Sequence, residues 1–91
     1  MAEVARLVRS EEPLTALVDG ETVMFSPDRG VYFGLDPIGT RVWELLGEPR
    51  SLDDLCAILG DEYEVDPDTC RTDVGALVEE LREAKLVREV P

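Results

Sequence analysis

The chain has 91 residues and a net charge of −12, from 21 acidic residues against 9 basic ones, with no histidine. A chain of this length is one domain that hides roughly 60–65% of its unfolded surface, which leaves little room for a deep, enclosed active site. Nucleic acid and anionic membranes are poor partners for it, because binding to phosphates relies on Lys and Arg releasing counterions.

The charge is −4 over residues 1–50 (9 acidic, 5 basic) and −8 over residues 51–91 (12 acidic, 4 basic). A basic or apolar peptide fits that balance. No apolar run approaches the roughly 20 residues of a membrane span. The start, Met1-Ala2-Glu3-Val4-Ala5-Arg6, lacks the basic stretch and long apolar run of a secretion signal. The expected location is therefore the cytoplasm.

In chain order, residues 1–11 read as an N-terminal segment in which residues 4–9 form a further short strand or stay loose. Residues 12–91 read as the domain. Leu14–Val18 and Glu21–Phe25 flank Asp19-Gly20, and a two-residue Asp-Gly loop favours a type I′ hairpin turn. If Val18 opposes Glu21, then Ala16 opposes Val23 and Leu14 opposes Phe25. Leu14, Ala16, Val18, Val23 and Phe25 then share one face. Pro27-Asp28-Arg29-Gly30 reads as a second turn. It leads to a third strand, Val31-Tyr32-Phe33-Gly34-Leu35, with Val31, Phe33 and Leu35 inward and Tyr32 outward.

The rest reads as helix. Asp36 is a good N-cap and Pro37 suits the first helical position. Ile38, Val42, Leu45 and Leu46 fall on one face, and Gly47 and Pro49 end this helix. Ser51 starts a second helix with Leu52, Leu55, Ile58 and Leu59 inward and Gly60 near its end. Asp66-Pro67 starts a third, in which Cys70, Val74, Leu77, Val78, Leu81 and Lys85 follow helical spacing to an end near Leu86. The expected fold class is α+β, a three-stranded antiparallel sheet followed by three helices, similar in shape to a winged helix-turn-helix.

Little here carries chemistry. Catalysis needs a base or nucleophile of suitable pKa beside an orienting group, and the chain has no His and one Lys. Cys56 and Cys70 sit among apolar neighbours at helical spacing and read as small buried hydrophobes. Two thiols without His do not make a structural zinc site, which takes four N or S ligands. No phosphate-cradling glycine loop is present. No enzyme activity, metal or cofactor is expected.

Three binding classes remain. A winged-helix DNA reader has the right shape, but its third helix carries Asp68, Asp73, Glu79, Glu80 and Glu83 against Arg71, Arg82 and Lys85, the wrong balance for phosphates. An acidic carrier protein needs a serine in an Asp-Ser-Leu setting, whereas Ser51 sits in Pro49-Arg50-Ser51-Leu52 and reads as an N-cap. An adaptor for peptides or proteins fits better. The third strand is an expected sheet edge, where another chain can add a strand. Gly34 lets a backbone approach closely. Val74, Leu77, Val78 and Leu81 are candidates for a groove wall, and equally for plain core.

The run Tyr32-Phe33-Gly34-Leu35-Asp36-Pro37-Ile38-Gly39-Thr40-Arg41-Val42-Trp43-Glu44-Leu45-Leu46 resembles the strand-to-helix signature of the PqqD-like family. The resemblance continues through Ser51–Leu55, Tyr63–Pro67, Asp73-Val74, Leu77 and Leu81–Ala84, covering about residues 12 to 87. These proteins are recognition elements for the leader segments of ribosomally made precursor peptides, including the stand-alone B1 form of lasso-peptide pathways. The resemblance implies a leader docked as an extended strand, antiparallel to the third strand, in a cleft with the third helix. It implies groove positions Val31, Tyr32, Phe33 and Gly34 on the strand and Asp73, Val74, Leu77, Val78 and Leu81 on the helix. The implied partners are the precursor leader peptide, a separate B2-type cysteine protease that removes the leader, and a cyclase. A homodimer through the open edge strand is a further expectation.

Overall fold

The structure, a computed structural model, describes residues 6–11, 13–27 and 30–90. Its elements are β1 (Arg6–Arg9), β2 (Leu14–Val18), β3 (Glu21–Ser26), β4 (Val31–Leu35), α1 (Pro37–Leu45), α2 (Leu52–Tyr63), α3 (Pro67–Glu83) and β5 (Val87–Val90). The fold is α+β, with an antiparallel sheet in the order β2-β3-β4 and a separate β1-β5 ladder.

The hairpin has the expected register, with Val18 opposite Glu21, Ala16 opposite Val23 and Leu14 opposite Phe25. Asp19 (φ 52°) and Gly20 (φ 82°) both take positive φ, as a type I′ turn requires. The next turn closes with Gly30 N–H donating to the Ser26 carbonyl at 2.8 Å. Asp28 and Arg29 of that expected turn lie outside the described residues.

Alternation alone leaves open which face of the sheet the helices cover. The covered face carries Thr22, Met24 and Ser26 of β3, all buried. Opposite them stand Leu35, Phe33 and Val31 of β4. Leu35 is buried and Phe33 half-buried, as expected, but Val31 at the strand's start is exposed. The other face carries Leu14, Ala16, Val18 and Val23, which are exposed, and the Phe25 and Tyr32 rings, whose centroids stand 4.7 Å apart. β2 is exposed along its whole length.

A tight junction joins sheet to helices. The Asp36 carboxylate accepts from Gly39 N–H at 2.7 Å, capping α1. A Cβ on Gly39 would meet Asp36 Oδ1 and Leu35 Cβ at 3.2 Å, so a side chain there would press the strand's end away from the helix. The Thr40 hydroxyl accepts from Thr22 N–H at 2.9 Å and donates to the Leu35 carbonyl at 3.2 Å, tying β3, β4 and α1 together in the interior. α2 opens with a capping box: Asp54 N–H donates to Ser51 Oγ at 3.1 Å and Ser51 N–H to Asp54 Oδ2 at 3.0 Å. Asp66 caps α3 by accepting from Thr69 N–H at 3.0 Å.

The core gathers Met24, Val42, Leu46, Leu55, Leu59 and Leu81, all 0% exposed, with Leu7, Leu35, Trp43, Val74 and Val78 around them. Leu52 and Ile58 of α2 are half-buried against it, while Ile38 of α1, expected inward, is exposed.

Two corrections concern the C-terminal end. α3 does not carry its apolar spacing through Lys85. It ends at Glu83, and Lys85 is exposed with φ 63°. Lys85 N–H donates to the Arg82 carbonyl at 3.0 Å and Leu86 N–H to the Leu81 carbonyl at 2.8 Å. That is a Schellman cap with lysine in the left-handed place usually given to glycine. Leu86 turns back into the core, and β5 follows. β5 pairs with β1, Leu7 opposite Glu89 and Arg9 opposite Val87. On its other side β1 meets the loop after α1, with Leu7 N–H donating to the Arg50 carbonyl at 2.7 Å and Arg50 N–H returning to Leu7 at 3.0 Å. Arg9 lies 5.6 Å from the centre of the Trp43 ring. The expected further strand in residues 4–9 thus exists over Arg6–Arg9, while residues 4 and 5 lie outside the described ones.

Candidate functional site

Among the described residues β4 is an edge of its sheet, so one side of its backbone can take another strand. α3 runs beside that edge in the opposite direction, and a cleft separates the two. At one end a pocket of about 340 Å³ is lined by Gly34, Leu35 and Asp36, by Ile38 and Gly39 at the start of α1, and by Asp73, Val74 and Leu77 of α3. At the other end a shallower recess of about 470 Å³ lies between Val31, Tyr32 and Phe33 and the Glu80, Glu83 and Ala84 side of α3. A small, mostly apolar cavity of about 50 Å³ shares Ile38, Asp73 and Val74 with the first pocket and is otherwise lined by Leu59, Tyr63, Val65, Thr69 and Cys70.

The candidates from sequence divide clearly. Gly34, Asp73, Val74 and Leu77 meet in the first pocket. Val31, Tyr32 and Phe33 line the second. Val78 and Leu81 line neither; they are 5% and 0% exposed and belong to the core. One helical stripe thus serves two purposes, its buried half holding the fold and its half-buried edge, at Leu77, forming a wall. Sequence reasoning missed Ile38, Glu80, Glu83 and Ala84. The spacing Asp73, Leu77, Glu80, Ala84 keeps one helical face and is a usable signal for Glu80 and Ala84. Gly34 is not demanded by packing, since a Cβ there would meet nothing within 4 Å.

The electrostatics of the cleft are one-sided. Asp36, Asp73, Glu80 and Glu83 line it, and among the described residues no lining residue is basic. Asp36 is committed to the α1 cap. Arg82 turns to the other side of α3, toward Glu89 at 3.2 Å and Glu79 at 3.8 Å. The larger pairs lie elsewhere. Arg41 holds Glu62 with bonds of 2.9 and 2.8 Å, joining α1 to α2. That raises the guanidinium pKa and lowers that of the carboxyl. The Asp54 carboxyl is also lowered, chiefly by the bond from Ser51 N–H.

Burial, and after it the neighbouring Cys70, pushes the Cys56 thiol up to about 11, so it stays protonated and unreactive at neutral pH. Among the described residues there is no group of three or more side chains placed to hold a metal ion, and no helix long and apolar enough to cross a membrane. What the cleft offers is a free strand edge, apolar walls and acidic side chains, which suits it to hold an extended chain.

The family described as coenzyme PQQ synthesis protein D (PqqD) matches over residues 21–87, and the chain belongs to that family. Among solved structures it is similar to TbiB1 in complex with the TbiA(beta) leader peptide, at 30% identity and a TM-score of 0.78, covering 92% of this chain and 98% of that one. It is also similar to a lasso peptide synthetase B1 complexed with the leader peptide, at 26% identity and a TM-score of 0.75, covering 93% and 98%. The PqqD part of Methylobacterium extorquens PqqCD, described as a stand-alone RiPP recognition element, shares the fold at 18% identity and a TM-score of 0.73, over 91% and 88%. A comparison with curated proteins found no match.

Proposed function

We propose that this chain binds the leader segment of a ribosomally made precursor peptide, of the lasso-peptide kind, and has no catalytic role. The leader adds as a strand antiparallel to β4 and fills the cleft against α3. Val31, Tyr32, Phe33 and Gly34 supply the strand side, and Asp73, Val74 and Leu77 the helix side. Val78 and Leu81 act from beneath, as the core that fixes the wall. The bound precursor is handed to a separate B2-type cysteine protease and then to a cyclase. Holding it there raises its effective concentration at those enzymes. The work takes place in the cytoplasm. Without peptide, the same open edge is available to a second copy of the chain.

The observation that carries this reading is the unpaired edge of β4 lying along an apolar cleft, in a chain 30% identical to a protein solved with a leader peptide. Main-chain hydrogen bonds to an edge strand give affinity, and pockets for alternate side chains give specificity. DNA is disfavoured by the acid along α3.

The test is a fluorescence-anisotropy titration with a labelled leader peptide from a precursor encoded beside this gene, with the core peptide alone and a DNA duplex as controls. Saturable binding of the leader only, weakened at least tenfold by Leu77→Glu or Phe33→Ala in variants shown to be folded, is the expected result. No leader binding at tens of micromolar by the folded protein would overturn the proposal.

A further inference from the structure

The cleft has a direction as well as a shape, and the direction constrains the occupant. β4 and α3 run oppositely: Gly34 and Leu35 face Asp73, Val74 and Leu77, while Val31 to Phe33 face Glu80, Glu83 and Ala84. A peptide antiparallel to β4 therefore enters at the Gly34 end and leaves at the Val31 end. Its N-terminal part meets the pocket of Ile38, Val74 and Leu77, which shares Ile38 and Val74 with the small apolar cavity. Its C-terminal part meets Glu80 and Glu83 across from Val31, Tyr32 and Phe33.

The walls set the chemistry. Among the described residues neither wall carries a Lys or Arg, and the nearest arginine on α3, Arg82, is turned to Glu79 and Glu89. An acidic leader residue at the exit would meet like charge. A Lys or Arg would meet a carboxylate from α3 instead, a setting that favours a cation. We infer that the cleft selects a peptide with an apolar anchor followed by a basic residue, the anchor seated between Ile38, Val74 and Leu77 and the cation held at Glu80.

The spacing follows from the two rises. The middle of the Val74–Leu77 wall and the middle of the Glu80–Glu83 wall are about six helical residues apart, or about 9 Å at 1.5 Å per residue. An extended peptide covers that in roughly three residues. Because alternate side chains face the same way, the cation falls two or four positions after the anchor.

This inference rests on the leader-binding reading, and one experiment separates the two. The probe is the fluorescein-labelled leader of the precursor encoded beside this gene, with each Lys or Arg replaced singly by Gln. Wild-type protein is compared with Glu80→Gln, with Glu80→Lys, and with Asp61→Lys as a control for net charge on an exposed position of α2. The expected result is that one basic residue, two or four positions C-terminal to the apolar anchor, contributes about 3- to 10-fold in affinity at low salt. That factor disappears on Glu80→Gln. A leader carrying Glu in its place is bound better by Glu80→Lys than by wild type, and Asp61→Lys changes neither peptide's ranking.

Wild-type binding with no basic residue at that spacing, or a loss equal on wild type and Glu80→Gln, overturns the inference and leaves leader binding standing. A coupled basic residue on the N-terminal side of the anchor overturns it too, because the peptide then runs the other way. No binding of the parent leader overturns the reading beneath it and this inference with it.

Discussion

Thr40→Val tests whether the junction between sheet and helices holds the cleft's near wall in place. Valine keeps the shape of threonine and removes the hydroxyl. In the native protein that hydroxyl accepts from Thr22 N–H and donates to the Leu35 carbonyl, and all three residues are buried, at 8%, 5% and 4% exposure. The substitution strands a donor and an acceptor in the interior. Each such group costs about 1–3 kcal/mol, and the pair about 2–4 kcal/mol. In a domain of this size that is roughly 10–25 °C in Tm. Thr40→Ser keeps the hydroxyl and loses one methyl, about 1 kcal/mol. Urea unfolding followed by circular dichroism measures both, and a lower midpoint at unchanged m-value reads as lost stability. A Thr40→Val protein within about 0.5 kcal/mol of wild type, or a Thr40→Ser protein as unstable as Thr40→Val, would refute the claim that these two bonds make the junction, since the penalty is assigned to unpaired groups.

Leu7→Ala should cost about 2–4 kcal/mol in the same assay, because Leu7 is 5% exposed between β5 and the loop at Arg50; a protein lacking residues 1–11 should lose at least as much. Cys56, its thiol pushed up to about 11 by burial, should resist iodoacetamide at pH 7 and react at an ordinary rate once urea unfolds the chain; rapid labelling of the native protein contradicts that environment. Acid stability follows from Asp54 and Glu62, lowered by the Ser51 N–H and by Arg41. Carboxyls lowered in the folded state stabilise it above their ordinary range and lose that contribution as the pH falls through their folded values. The loss therefore comes below about pH 4. An acid titration of Glu62→Gln with Asp54→Ala should show a shallower decline there than wild type does.

Much of the fold is written in local rules. Asp19-Gly20 fixed the hairpin and its register, Asp36-Pro37, Ser51 and Asp66-Pro67 marked the three helix starts, and the alternation of β4 placed Phe33 and Leu35 inward. What escaped depends on tertiary contact. β5 is four residues with two charges, and nothing local marks it; its partners lie 78 to 84 residues away in the chain. α3 ends short of the expected Leu86 because Lys85, not glycine, takes the left-handed position. The hairpin pattern put five apolar residues on one face, yet the helices cover the other, where Met24 and Leu35 pack and Thr40 anchors the edge.

The site was legible to the same depth. Edge strand and third helix follow from element order and family resemblance. Separating Leu77 from Val78 and Leu81 needs the gap between β4 and α3, and that gap is a matter of how two elements pack. The acidic exit at Glu80 and Glu83 was visible as charge on a helix and had no meaning until the strand beside it was placed.

The most direct test of the central claim is an amide NMR titration of the 15N-labelled protein with the neighbouring precursor's leader peptide, followed by hydrogen exchange of the saturated complex. Strand addition predicts shifts confined to Val31–Leu35, the start of α1 and Asp73–Ala84, with new exchange protection at alternate amides of β4. Shifts and protection gathered on the exposed β2 edge, or spread over α2 with β4 unchanged, would contradict it.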